Sequence, residues 1–125
     1  MKTSVKTFFE NYAEALLSLS PEKIAAFYQT PVTIYSDEGM QTVSKASDTV
    51  AFWKEGIKPY EAQNIEKATP EILSEEQLSE TIFISKVRWN NYDSSGNEVA
   101  KETNFYILSQ HKDELKISGL IIMKQ

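Results

Sequence analysis

Cysteine is absent from the 125 residues. That excludes a disulfide framework, a thiolate metal site and a cysteine nucleophile. Glycine and proline number only four each, too few for a fibrous or low-complexity chain. Histidine occurs once, at His111, and a metal site needs companions at ligand spacing, so no metal is expected. Basic residues are outnumbered: 13 Lys and Arg stand against 18 Asp and Glu, for a net charge of −5. A nucleic-acid or anionic-membrane surface needs a basic face, so neither partner is expected. No apolar run approaches the roughly 20 residues of a membrane span. The apolar stretch after the first six residues is broken by Glu10, Asn11 and Glu14, which argues against a signal peptide. The expectation is therefore a soluble cytoplasmic protein. Glycine-rich nucleotide motifs, a GxSxG elbow and an HExxH pair are all missing, so no cofactor is expected.

What remains is an ordinary globular composition, 41% hydrophobic and 11% aromatic. The length fits one domain over 1–125. Val5, Phe9, Tyr12, Leu16 and Leu19 recur at helical steps, predicting a buried amphipathic helix over about 4–18. Ser20-Pro21-Glu22 restarts a helix, with Ser20 as N-cap and Pro21 in the first turn. That helix carries Ile24, Phe27 and Tyr28 and stops near Thr30, because Pro31 disfavours helix before it. Val32 to Tyr35 alternates as a strand, Asp37-Glu38-Gly39 turns, and Met40 to Val43 returns as its partner. Ser44 is the expected N-cap of a third helix carrying Val50, Phe52, Trp53 and Ile57, closed by Gly56 and Pro59. From Tyr60 the apolar period becomes two, and 61–73, 78–92, 98–110 and 114–124 read as long strands. Pro70 implies a bulge or a sheet edge. Three helices followed by an antiparallel meander give an α+β fold: a curved sheet packed against helices as a cone with an open end.

This order of elements resembles the nuclear transport factor 2-like superfamily, which includes SnoaL-like cyclases and ketosteroid isomerases. The resemblance is carried by Asn11 to Leu16, Ile24 to Tyr28, Val32 to Ser36 and Val50 to Trp53. In the isomerases the first helix carries an Arg-Tyr-x-x-Ala-Leu segment whose tyrosine donates to the oxyanion. The resemblance places that donor at Tyr12 and a second active-site aromatic at Trp53. It places Ser36 where the isomerases carry their general-base aspartate, and Thr103 where they carry a protonated aspartate. Asp37, one residue on, would face the opposite side of the strand unless a bulge turned it inward. The resemblance thus implies the scaffold and one donor without the carboxylate base.

Tyr12 has two readings: a phenol aimed into the cone, donating to a ligand oxygen, or a core tyrosine satisfied by a carbonyl or water. Tyr28, Ser36, Trp53, Thr103 and Phe105 are the candidate pocket residues beside it. Aromatics at helical spacing also make ordinary core. Lys86 and Arg88 share one face of a strand, and the apolar face is the other, which carries Val87 and Trp89. His111 reads as a hairpin tip. Two functions follow. One is a pocket for a small apolar or aromatic ligand, with cofactor-independent isomerase, cyclase or hydrolase chemistry if any. The other is a non-catalytic homodimer joined through the outer sheet face, where Asn104, Tyr106 and Leu108 are expected alternate to an inward Thr103, Phe105 and Ile107.

Overall fold

The computed structural model describes residues 4–123. Helix α1 spans Val5–Leu17, and its N-cap Ser4 side chain accepts a hydrogen bond from the Thr7 amide. It buries Phe8, Phe9, Tyr12 and Leu16 on one side, as the spacing predicts. Helix α2 is shorter than expected, Pro21–Ala25, capped by Ser20. The chain is already extended at Tyr28, where β1 (Tyr28–Ser36) begins. The physical reason is pairing: Tyr28 lies beside Ile117, and the Ile117 amide donates to the Phe27 carbonyl. The Thr30–Pro31 peptide bond is cis. Strand β2 (Gly39–Val43) returns antiparallel to β1, and α3 covers Ala46–Gly56. Lys45, not Ser44, holds the N-cap position of α3, without a side-chain cap bond.

A further short helix, α4 (Lys58–Ala62), stands where a strand start is expected. Pro59 sits in its first turn, where a missing N–H costs nothing. Strand β3 therefore begins downstream, at Ile65–Gln77, followed by β4 (Ile82–Asp93), β5 (Glu98–His111) and β6 (Glu114–Ile122). The sheet order is β2-β1-β6-β5-β4-β3, with β1 parallel to β6 and every other neighbour antiparallel. The fold is the expected α+β cone, with β3 and Pro70 at a sheet edge.

The faces of β5 are reversed from expectation. Asn104, Tyr106 and Leu108 are buried under the helices, while Thr103, Phe105 and Ile107 alternate to the outer face. The cause is one residue. Tyr92 pairs with Glu98 but Asn91 pairs with Ala100, so Val99 is an extra residue bulged out of the ladder. A one-residue bulge shifts register, and a register shift exchanges the two faces. Ser85, Val87 and Trp89 thus meet Tyr106, Asn104 and Glu102. A second shift lies between Ile107 and Leu108, whose β6 partners are Gly119 and Ile117 and leave Ser118 unpaired. It lets both Ile117 and Leu120 reach the core.

Candidate functional site

The concave side of the sheet and the inner faces of α1, α3 and α4 enclose a cavity of about 180 Å³. Its wall is built element by element. α1 supplies Tyr12 and Leu16, β1 supplies Tyr28, and α3 supplies Phe52, Trp53 and Gly56. α4 closes one side with Tyr60, and the sheet floor carries Trp89, Glu102, Asn104 and Tyr106. Seven of the lining side chains are aromatic, and Glu102 is the one carboxylic acid in the lining. Among the described residues no lysine, arginine or histidine lines the cavity.

Tyr12 and Tyr28 share a hydroxyl–hydroxyl hydrogen bond of 2.7 Å. Their rings pack edge-to-face, and Tyr28 in turn packs on Trp53. Across the floor, the Trp89 indole donates to the Tyr106 hydroxyl at 2.9 Å. The Trp53 indole N–H approaches the Tyr28 hydroxyl but falls short of hydrogen-bond geometry, so it stays buried without a partner. The Asn91 side chain is in the same position relative to Tyr60.

Burial sets the acid–base character. Desolvation holds the Tyr12, Tyr28 and Tyr60 phenols far above their ordinary range, and nearby tyrosines reinforce it. Desolvation pushes Tyr106 up to about 12, although Asn104 and Trp89 pull the other way. The Glu102 carboxyl is also raised by burial, while the nearby Asn104 amide opposes the shift. All four phenols are therefore neutral donors near neutral pH.

Of the residues singled out from sequence, the structure brings Tyr12, Tyr28 and Trp53 together at this cavity. Thr103 and Phe105 are on the opposite face of β5, for the reason given above. Ser36 lies in a neighbouring recess beyond Phe52 and Ile122, and its hydroxyl accepts from the Glu38 amide within the turn. Arg88 is on the outer face, 3.8 Å from Glu71 on the paired strand. His111 is exposed at the β5–β6 turn. Among the described residues no cluster of His, Asp and Glu could hold a metal ion, and no helix is long and apolar enough to cross a membrane. Sequence reasoning missed Glu102, Asn104, Tyr60 and Tyr106. The signal for three of them was the apolar face of β4, combined with the bulge that sets its pairing.

No curated protein matches the sequence. The fold is shared with solved structures at low identity. A domain of unknown function with a cystatin-like fold from Nostoc punctiforme is 14% identical, with TM-score 0.74 over 97% of this chain and 75% of its own. An NTF-2-like protein of unknown function from Shewanella oneidensis is 13% identical, with TM-score 0.71 over 94% and 93%. A ketosteroid isomerase-like fold protein from Catenulispora acidiphila, solved in complex with trimethylamine, is 11% identical, with TM-score 0.57 over 95% and 85%. The family model described as NTF2-like protein (DUF6841) matches residues 2–124, so the chain belongs to that NTF2-like family.

Proposed function

We propose that the protein binds a small, largely apolar or aromatic molecule in the cone cavity. The observation that carries this reading is an aromatic-walled space of about 180 Å³ that the side chains leave unfilled. An apolar cavity of about 150 Å³ takes benzene, so a ring-sized ligand fits here. The space is well below the roughly 300–1,000 Å³ of pockets for drug-sized ligands. Any chemistry is cofactor-independent, with Tyr12 as the candidate catalytic donor through the Tyr12–Tyr28 pair. Steroid isomerisation does not fit: the space is small, and Ser36 stands outside it with no basicity of its own. A fragment screen read by the Trp53 and Trp89 indole NMR signals tests the proposal. Fragments should shift both signals and raise the melting temperature. A broad screen that moves neither overturns it.

A second reading has its own observation. The outer face of β4, β5 and β6 carries Ile84 beside Ile107, and Phe105 beside Ile121, all only half-buried. An apolar row of this kind suits the contact between two copies of the chain.

A further inference from the structure

We propose that the ligand of the cone cavity is a small organic cation, a substituted ammonium seated between the Glu102 carboxylate and the surrounding ring faces. The inference rests on the reading of the cavity as a ligand site and adds the charge of what enters it.

Glu102 stands on the cavity floor beside Trp89, its partner across the β4–β5 ladder. Among the described residues no lysine, arginine or histidine forms an ion pair with it. The neutral Asn104 amide lies beside it. A partly buried carboxylate without a counter-charge is costly, and a protein at net −5 has no shortage of exposed positions for its acids. The remaining wall is mostly aromatic, with Tyr60 and Tyr106 near the carboxyl and Trp53 and Tyr28 elsewhere in the lining. Aromatic faces are electron-rich and attract a cation within about 6 Å of the ring centre, more strongly once it is desolvated. An anion would meet the opposite arrangement: negative ring faces, a carboxylate and, among the described residues, no basic side chain. A neutral apolar ligand would fill the space but leave Glu102 uncompensated. A cation seated beside it would draw the Glu102 carboxyl, which burial raises, back toward its ionised form. Size agrees too, because a trimethylammonium head is no larger than the benzene that about 150 Å³ admits.

The test compares choline with tert-butyl ethanol, in which carbon replaces the nitrogen and the shape is kept. Both are titrated near neutral pH against the wild-type protein and Glu102→Gln, following the fluorescence of Trp53 and Trp89. These are the protein's two tryptophans, and both line the cavity. Choline should bind the wild type at least about tenfold more tightly than its neutral isostere. Glu102→Gln should weaken choline several-fold, toward the isostere's affinity, and leave the isostere unchanged. Gln is nearly isosteric with Glu, and a thermal melt confirms that the variant is folded. Equal affinity for the two probes, or choline binding indifferent to Glu102→Gln, overturns the cationic assignment while the cavity remains a ligand site. Binding of neither probe also overturns it, and the fragment screen then decides separately whether the cavity binds anything.

Discussion

The Tyr12 hydroxyl makes its strong contact with another side chain, Tyr28, and this decides what its removal does. Tyr12→Phe keeps the ring packed among Phe8, Phe9 and Trp89 but strips Tyr28 of its partner. A buried hydroxyl left unpaired costs about 1–3 kcal/mol, so the variant should melt several degrees lower. A melting temperature within error of the wild type would show that water or the Trp53 indole takes over the bond. Glu102 gives a prediction of the other sign. Burial raises its carboxyl in the folded state, so the folded protein keeps that proton after the unfolded chain has released it. Stability from this group is complete below the ordinary carboxylate range and falls as pH rises through the raised value. Among the described residues the groups around it, Asn104, Tyr60, Tyr106 and Trp89, stay uncharged across that window and do not compensate. Glu102→Gln should therefore match the wild type in acid and exceed it in stability at neutral pH. Urea unfolding at the two conditions measures the difference, and a variant weaker at neutral pH would contradict the assigned direction. The same carboxylate that weakens the empty fold is the one proposed to hold the ligand.

Among the elements, α3 carries the most constrained position. A methyl group at Gly56 would lie 2.6 Å from Cε3 of Trp53, one helical turn earlier. That ring packs against Tyr28 and Phe52, so moving it disturbs both contacts and the cavity wall it forms. Ala gains up to about 1 kcal/mol over Gly in a helix, but overpacking against that ring costs about 1–3 kcal/mol. Gly56→Ala should lower the melting temperature and alter tryptophan fluorescence. A higher melting point with an unchanged spectrum would show that the indole yields freely. The elements also mark where the sequence was readable. Helical spacing located α1 and its buried Tyr12, and period-two alternation located β4 with its apolar odd face. Neither pattern reveals a single extra residue. Val99 is unremarkable in sequence, yet its bulge turns Tyr106 inward and Phe105 outward. Pro59 reads as a helix stop from upstream and as a helix start from downstream, and only packing against the cavity selects the second. The resemblance supplied Tyr12 and Trp53 because helices tolerate no register slip. It misplaced Thr103 because a strand position depends on every bulge before it.

At the scale of the whole molecule, the two sheet faces separate the two proposed roles. The inner face is committed to the helices and the cavity. The outer face carries Ile84 next to Ile107 and Phe105 next to Ile121, with Lys86 at 5.7 Å over the Phe105 ring and the Arg88–Glu71 pair nearby. This is an apolar centre with a charged surround, the usual anatomy of a protein contact. Net charge of −5 opposes self-association, so a dimer here must rest on buried apolar area and not on long-range attraction. Light scattering at micromolar concentration should give twice the 14.2 kDa chain mass. Phe105→Glu should return the mass to that of one chain, because it sets two carboxylates into the centre of a symmetric contact. The substitution points away from the cavity, so indole signals and fragment binding should persist in the monomer. A wild type that scatters as one chain throughout would remove the dimer and leave the cavity as the function-bearing feature. Loss of fragment binding in a folded Phe105→Glu monomer would show instead that the two faces are coupled, with assembly shaping the site.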